Sequence, residues 1–132
     1  MTNVLWLMLL LQIKHFVFDW VYQPPYMWKN KGTFGHWGGI VHSGLHAAWT
    51  ALILALFGGV VLPPDAAMKV IPWIALGEFI AHYLIDWAKM NINRKMGWTA
   101  TTHHAFWVLT GFDQLLHQLT YLAIIAYWVT YW

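Results

Sequence analysis

Apolar residues fill four long stretches of the chain, and each stretch is broken in the same way, by two polar side chains four positions apart. The stretches lie near 3–22, 37–61, 67–90 and 105–131. Each reaches the roughly 20 residues that a helix needs to cross a bilayer. Breakers stand between them: Gln23-Pro24-Pro25 through Gly35, then a short turn at Leu62-Pro63-Pro64-Asp65, then Asn91–Thr102. Proline suits such ends because it cannot continue a helix. The pattern predicts an all-α integral membrane protein, a single domain over 1–132 whose four transmembrane helices form a bundle. The first stretch has neither the basic flank nor the small-residue cleavage site of a signal peptide, so Val4–Tyr22 is predicted to be a retained span.

The polar pairs are His15 with Asp19, His42 with His46, His82 with Asp86, and Asp113 with His117. Residues four apart share one face of a helix. Successive spans alternate in direction, so all four pairs fall in the same half of the membrane. Asp113 joins the others in depth if His103–Leu109 is an interfacial segment and the crossing helix starts near Thr110. The pairs also repeat. His15-x-x-x-Asp19-Trp20 returns as His82-x-x-x-Asp86-Trp87, and Gly39 through His46 aligns with Thr110 through His117. Two helical hairpins in one orientation predict a pseudo-twofold axis along the membrane normal.

Composition narrows the class. Hydrophobic residues make up 60% of the chain and charged residues 9%, against about 25% charged in a soluble domain. A soluble domain of this size could not hide so much apolar surface. Seven Lys and Arg against five Asp and Glu give a formal charge of +2, too few cations to line a nucleic-acid surface. They mark membrane edges instead. Lys29 and Lys31 lie in the first connection, and Lys89, Arg94 and Lys95 lie at or in the third. By the positive-inside rule both connections are cytoplasmic and both termini lie outside. Trp20, Trp28, Trp37, Trp87, Trp98 and Trp107 fall near that face, as an aromatic belt would. The chain has no cysteine, which removes thiolate sites and a thiol nucleophile.

Five imidazoles and three carboxylates on four facing helices predict a metal site: His15, Asp19, His42, His46, His82, Asp86, Asp113 and His117. The donor set suits two Zn²⁺, or Fe or Mn. Asp19 and Asp86, the repeat-related pair, are the expected bridging carboxylates of a two-metal site. Some of the aspartates are expected to brace ligating histidines rather than bind metal. Glu78 continues the His82/Asp86 stripe one turn deeper. It has no counterpart in the first half, where Leu11 takes its place. Glu78 and Asp86 are therefore the expected proton-handling residues. Gln12 and Gln23 share the His15/Asp19 face. Lys14 is expected either to snorkel toward the headgroups or to touch a substrate phosphate. Gln23 and His104 are further expected substrate contacts, and His103 and His104 stand where they would cap the mouth of the site.

The sequence resembles a set of small bacterial and phage membrane proteins of unknown function. The resemblance rests on His15-x-x-x-Asp19-x-x-x-Gln23, the Trp28-Lys29-Asn30-Lys31 that follows, the H-x-x-x-H and H-x-x-x-D pairs, and Asp113-Gln114-x-x-His117. It covers nearly the whole chain and departs at Trp20, where Phe is expected. It implies a multi-pass protein of the bacterial inner membrane. A looser likeness is to bacterial membrane-bound metal-dependent hydrolases. Together these readings predict a metal-dependent, dinuclear zinc hydrolase. It would act on a lipid or lipid-linked phosphoester or ester at the cytoplasmic leaflet. Membrane lipids are the expected partners, nucleic acid is not, and a homo-oligomer is compatible with the sequence. Two other classes answer to the same residues. One is a di-iron oxidoreductase acting on acyl chains. The other is a non-enzymatic metal-binding, transport or envelope-modifying protein.

Overall fold

The computed structural model describes residues 2–57 and 64–130, and all regular structure among them is helical. Helix α1 spans Thr2–Phe16 and runs into a wider π-helical turn at Val17–Val21. A short helix α2 covers Pro25–Trp28, α3 covers Trp37–Phe57, α4 covers Pro64–Met96 and α5 covers His104–Thr130. Three segments are long and apolar enough to cross a membrane, namely Asn3–Val21, Trp37–Phe57 and Asp65–Met96. By that measure the chain is a membrane protein. Of the turn expected at Leu62-Pro63-Pro64-Asp65, Leu62 and Pro63 lie outside the described residues, and Pro64 and Asp65 open α4.

The long helices form a ring. Helix α3 packs against α1 and α4, and α5 packs against α4 and α1, so α1 and α4 face each other across the diagonal. The bundle interior is divided in two along its length. One half is an apolar core of Leu7 and Leu11 from α1, Leu54 from α3, Ile74 from α4, and Tyr121 and Trp128 from α5. The other half holds the histidines and aspartates. Outward faces carry exposed Leu, Phe and Trp side chains, such as Trp6, Trp73 and Phe112. That distribution suits a bundle surrounded by lipid.

Two elements depart from the expected boundaries for local reasons. Helix α4 has 33 residues and is about 50 Å long at 1.5 Å per residue, well beyond a hydrocarbon layer of roughly 30 Å. It absorbs Asn91–Met96, expected to be loop, because nothing breaks the helix before Gly97. Gly97 then adopts φ 66°. Its N–H donates to Arg94 O and the Trp98 N–H donates to Asn93 O, both at 3.3 Å. This glycine-terminated pair of bonds closes many helices, and it needs a residue that tolerates positive φ. Helix α5 is one continuous helix from His104, so no break in the helix sets 104–109 apart from the residues after Thr110. His103 stands just before its first turn, with Nδ1 2.7 Å from Thr102 Oγ1 and 3.3 Å from Thr99 N.

The first connection folds back over the polar end of the bundle. Pro25 opens α2 with its preset φ, and Met27 beneath it is buried. Asn91 Nδ2 donates to Gly32 O at 2.8 Å, and the Gly35 N–H donates to the Tyr83 hydroxyl at 2.6 Å. Both bonds tie this connection to α4.

At the boundary between the two halves, Lys14 of α1 meets Glu78 of α4 across the diagonal. Lys14 Nζ also donates to His46 O at 3.2 Å and Thr50 Oγ1 at 2.9 Å. Lys14 is 4% exposed and Glu78 1%, so neither charge has water to fall back on. Removing one partner of such a pair costs about 3–5 kcal/mol because the other is left buried and alone. Lys14→Met is therefore expected to destabilise the protein in detergent by about that amount. The double change Lys14→Met with Glu78→Leu is expected to recover most of the loss in the same unfolding assay.

Candidate metal centre

The eight residues expected from their spacing come from all four long helices and meet in one buried cluster. On the first, the α-helix supplies His15 and the π turn supplies Asp19. The Tyr22 N–H reaches back five residues to Val17 O at 2.6 Å. Such wide turns often occur at functional sites, and this one leaves Asp19 Oδ2 3.3 Å from His15 Nε2. Helix α3 presents His42 and His46 on successive turns, with ring centroids 4.8 Å apart. Helix α4 presents His82 and Asp86, 3.5 Å apart, and α5 presents Asp113 and His117, 3.7 Å apart.

The cross-helix distances are as short as those within each pair. His42 Nε2 lies 2.9 Å from Asp19 Oδ1 and 3.1 Å from Asp86 Oδ2. Asp19 Oδ1 is also 3.4 Å from His46 Nε2 and 3.6 Å from His82 Nε2. Donor atoms held at 2.0–2.2 Å around a tetrahedral ion stand about 3.3–3.6 Å from one another. Three overlapping groups have one donor atom per residue within 4.8 Å of every other: Asp19, His42, His46 and His82; His15, His82 and His117; Asp86, Asp113 and His117.

Electrostatics give an independent test of fit. Asp19 Oδ1, Asp86 Oδ2, Asp113 Oδ1, His46 Nε2 and His117 Nε2 are buried and take part in no hydrogen bond of good geometry. Buried polar atoms are nearly always bonded, and an unsatisfied buried carboxylate oxygen is costly. Four buried carboxylates, counting Glu78, meet two buried ammonium groups, Lys14 and Lys31. With neutral imidazoles, two negative charges remain. Converging lone pairs with surplus negative charge fit a divalent cation.

His15 is held differently from the other histidines. Its Nδ1 is 3.0 Å from the Tyr121 hydroxyl and its Nε2 is 2.9 Å from Gln114 Oε1. Both ring nitrogens are engaged, so a metal at Nε2 would have to displace Gln114. Tyr121 and Thr50 lie one turn beyond His117 and His46. Extending the four-residue stripes would have found them. Gln114 stood in a recognised motif, but its partner was not legible.

Lys31 was missed as a site residue. Its position in a connection marked it only as a guide to orientation, yet its Nζ donates to Asp86 Oδ1 at 2.8 Å. Burial pulls its pKa down, but attraction to Asp86 and Asp19 outweighs that and raises it above the ordinary lysine value. No local sequence signal marks this contact.

The remaining expected site residues lie as follows. Lys14 neither snorkels nor faces a substrate; it is turned inward to Glu78. Glu78 lies outside the three ligand groups, with Oε1 taken by Lys14. Gln12 turns back on its own helix, its Nε2 4.0 Å from Met8 Sδ. His104 is exposed on the first turn of α5 and does not line the cleft described next. Gln23 does reach the cluster, with Nε2 3.2 Å from His42 Nε2.

A cleft of about 350 Å³ leads to the cluster from the end covered by the first connection. Its walls include Asp19, Gln23, Lys31, Lys89, Asp113 and Gln114. Two carboxylates of the cluster, two lysines and two amides therefore share one opening.

The sequence matches a family described as "Protein of unknown function (DUF3307)" over residues 6–132. The chain belongs to that family. The description assigns no activity, so the site must be read from its own chemistry. No curated protein and no solved structure gives a significant match.

The position of Lys31 depends on close packing at the start of α3. A Cβ on Gly38 would collide with the backbone carbonyl of Tyr26, and one on Gly39 would stand 3.3 Å from Lys31 Cα. Gly38→Ala is expected to lift the first connection and withdraw Lys31 from Asp86. Labelling with an amine-directed reagent, read by mass spectrometry, should then rise at Lys31 and stay constant at exposed Lys29.

Proposed function

We propose that this membrane protein is a metal-dependent hydrolase acting on a lipid or lipid-linked phosphoester at the cytoplasmic face. The observation that carries the reading is the cluster itself: eight buried imidazole and carboxylate groups, two of which, Asp19 and Asp113, line a cleft with Lys31 and Lys89 in its wall. The overlapping ligand groups favour two ions, with Zn²⁺ the best match to the mixed nitrogen and oxygen donors. Divalent ions held there would supply Lewis acidity and a nucleophile near neutral pH. Asp19, His42, His46 and His82 would hold one ion, and Asp86, Asp113 and His117 the other.

The chain's own groups complete the chemistry. Lys31 and Lys89 favour an anionic substrate, and Gln23 offers an amide donor beside them. Gln114 and Tyr121 fix the ring of His15. Glu78 has one carboxylate oxygen, Oε1, paired with Lys14 and does not line the cleft, so a cluster aspartate is the better-placed proton acceptor. Asp113 lines the cleft and is the first choice.

The membrane arrangement we propose has α5 as a fourth span. Support comes from its 27 residues and from its outward stripe of Phe112, Leu115, Leu119 and Leu122. The basic residues of the two connections then lie at the cleft end, which the positive-inside rule makes cytoplasmic. The ring order of the helices is the one a duplicated hairpin would produce.

The test is metal analysis of the purified protein together with hydrolysis of bis(p-nitrophenyl) phosphate and of phosphatidic acid. Bound zinc, loss of turnover with a chelator and recovery with Zn²⁺ are expected. His82→Ala and Asp86→Ala are expected to lose both metal and turnover. Folded protein that takes up no divalent metal would refute the proposal. Bound iron with oxygen-dependent chemistry would replace it with the oxidoreductase reading.

A further inference from the structure

The seam between α4 and α5 is open along much of its length, and it begins at the cleft. Lys89 and Asp113, which line the polar cleft, also line a small apolar cavity of about 70 Å³ with Ile85, Ala88, Phe112 and Leu116. Further along the same two helices lies a groove of about 500 Å³, bordered by Ile74, Gly77, Ala81, Thr120, Ala123 and Ile124. Small residues keep it open. A Cβ built on Gly77 meets nothing within 4 Å. Gly77 is exposed, and Trp73 beside it is 68% exposed on the outer surface, so the groove faces the surroundings of the bundle. From Lys89 to Gly77 the helix rises about 18 Å, close to the depth of one leaflet, which is half of a roughly 30 Å layer.

The corresponding seam between α1 and α3 differs. It has an apolar hollow of about 310 Å³, but Phe18 packs there at a tilt against Trp49, with centroids 5.6 Å apart, and edge-on against His46 at 5.9 Å. These rings stand between the hollow and the ligand cluster. None of the cleft residues lines it; its wall is apolar except for Lys14, whose charge is taken by Glu78.

From this we infer that the α4–α5 seam is the binding track for the hydrocarbon chain of a membrane lipid whose phosphate headgroup occupies the cleft. The inference rests on the hydrolase reading for what happens to the headgroup, but not for where the chain lies. The lipid enters sideways from the cytoplasmic leaflet. Its phosphate meets Lys31 and Lys89, its ester is held beside Asp113, and its chain passes Ala88 and Leu116 into the groove beside Gly77. Glu78 stands in the groove wall with its charge balanced by Lys14, so the track carries no net charge.

The experiment uses the full-length protein in phosphatidylcholine nanodiscs doped with phosphatidic acid that carries a diazirine at mid-chain. After irradiation, labelled peptides are mapped by mass spectrometry. Labelling concentrated on 73–81 and 120–127, above that on the outward faces of α1 and α3, is expected. Gly77→Leu fills the groove with a better helix former and should reduce this labelling about tenfold, the scale of an overfilled site. Gly44→Leu, the same change on α3 where a Cβ also meets nothing within 4 Å, should leave it unchanged. Labelling spread evenly over all outward faces, or unmoved by Gly77→Leu, overturns the track.

Hydrolysis separates this result from the parent reading. Gly77→Leu should keep wild-type metal content and wild-type turnover of bis(p-nitrophenyl) phosphate, which has no chain, while losing turnover of phosphatidic acid. Specific labelling without hydrolysis of either ester keeps the track and removes the hydrolase. Hydrolysis of both esters without specific labelling does the reverse.

Discussion

Everything in this fold answers to the cost of placing four carboxylates inside an apolar bundle. Isolated charges there would be intolerable, so the chain spends its long-range contacts on compensating them. Lys14 crosses the diagonal to Glu78, 64 positions away in sequence, and Lys31 is brought from a connection to Asp86, 55 positions away. The first connection is folded over the end of the bundle and tied to Tyr83 and Asn91. That fold is what makes Lys31 an internal residue. Two ammonium groups still leave two negative charges, next to His46 and His117, whose Nε2 atoms take part in no hydrogen bond. The residual charge links structure to function, because it is the part of the balance that a metal would complete.

The two halves of the interior divide the work. The apolar half, from Leu7 and Leu11 through Trp128, packs as any helical core does and fixes the spacing of the four helices. The polar half takes its geometry from that spacing and from one local distortion, the π turn that carries Asp19. Lys14 and Glu78 sit where the halves meet. They belong to no ligand group, yet Lys14 donates to the carbonyl of His46 and so fixes the backbone of one of them. The pair also marks the place where the proposed repeat breaks. Glu78 aligns with Leu11, which is fully buried in the apolar core. Function that distinguishes one seam from the other has to begin from such differences, because an undistorted repeat would offer two equal entrances.

Much of the site was legible because it is written in a local code. A spacing of four on a helix puts two side chains on one face whatever the rest of the fold does, so four such pairs and the alternation of helix directions were enough to bring the eight residues together. The same code, carried one turn further, reaches Thr50 and Tyr121. The apolar stretches fixed the helices for the same reason, since backbone groups in lipid must be satisfied within the helix itself. Their ends were legible only where a breaker stood. Gly97 ended α4 six residues beyond the expected span, because Asn91–Met96 contain nothing that stops a helix.

The sequence by itself therefore determined the helical class, the membrane character and the eight polar residues that converge. Tertiary structure decided which cation answers which carboxylate. Lys14 and Lys31 read alike as edge lysines, and only the packing of α1 across from α4 and of the first connection over the cleft turned both inward. It also left His104 and Gln12 apart from the cluster, drew Gln114 and Tyr121 onto His15, and opened one seam to the cleft while aromatic rings stand in the other. Charge compensation and cavity shape depend on distances between segments far apart in sequence. No local periodicity encodes those distances.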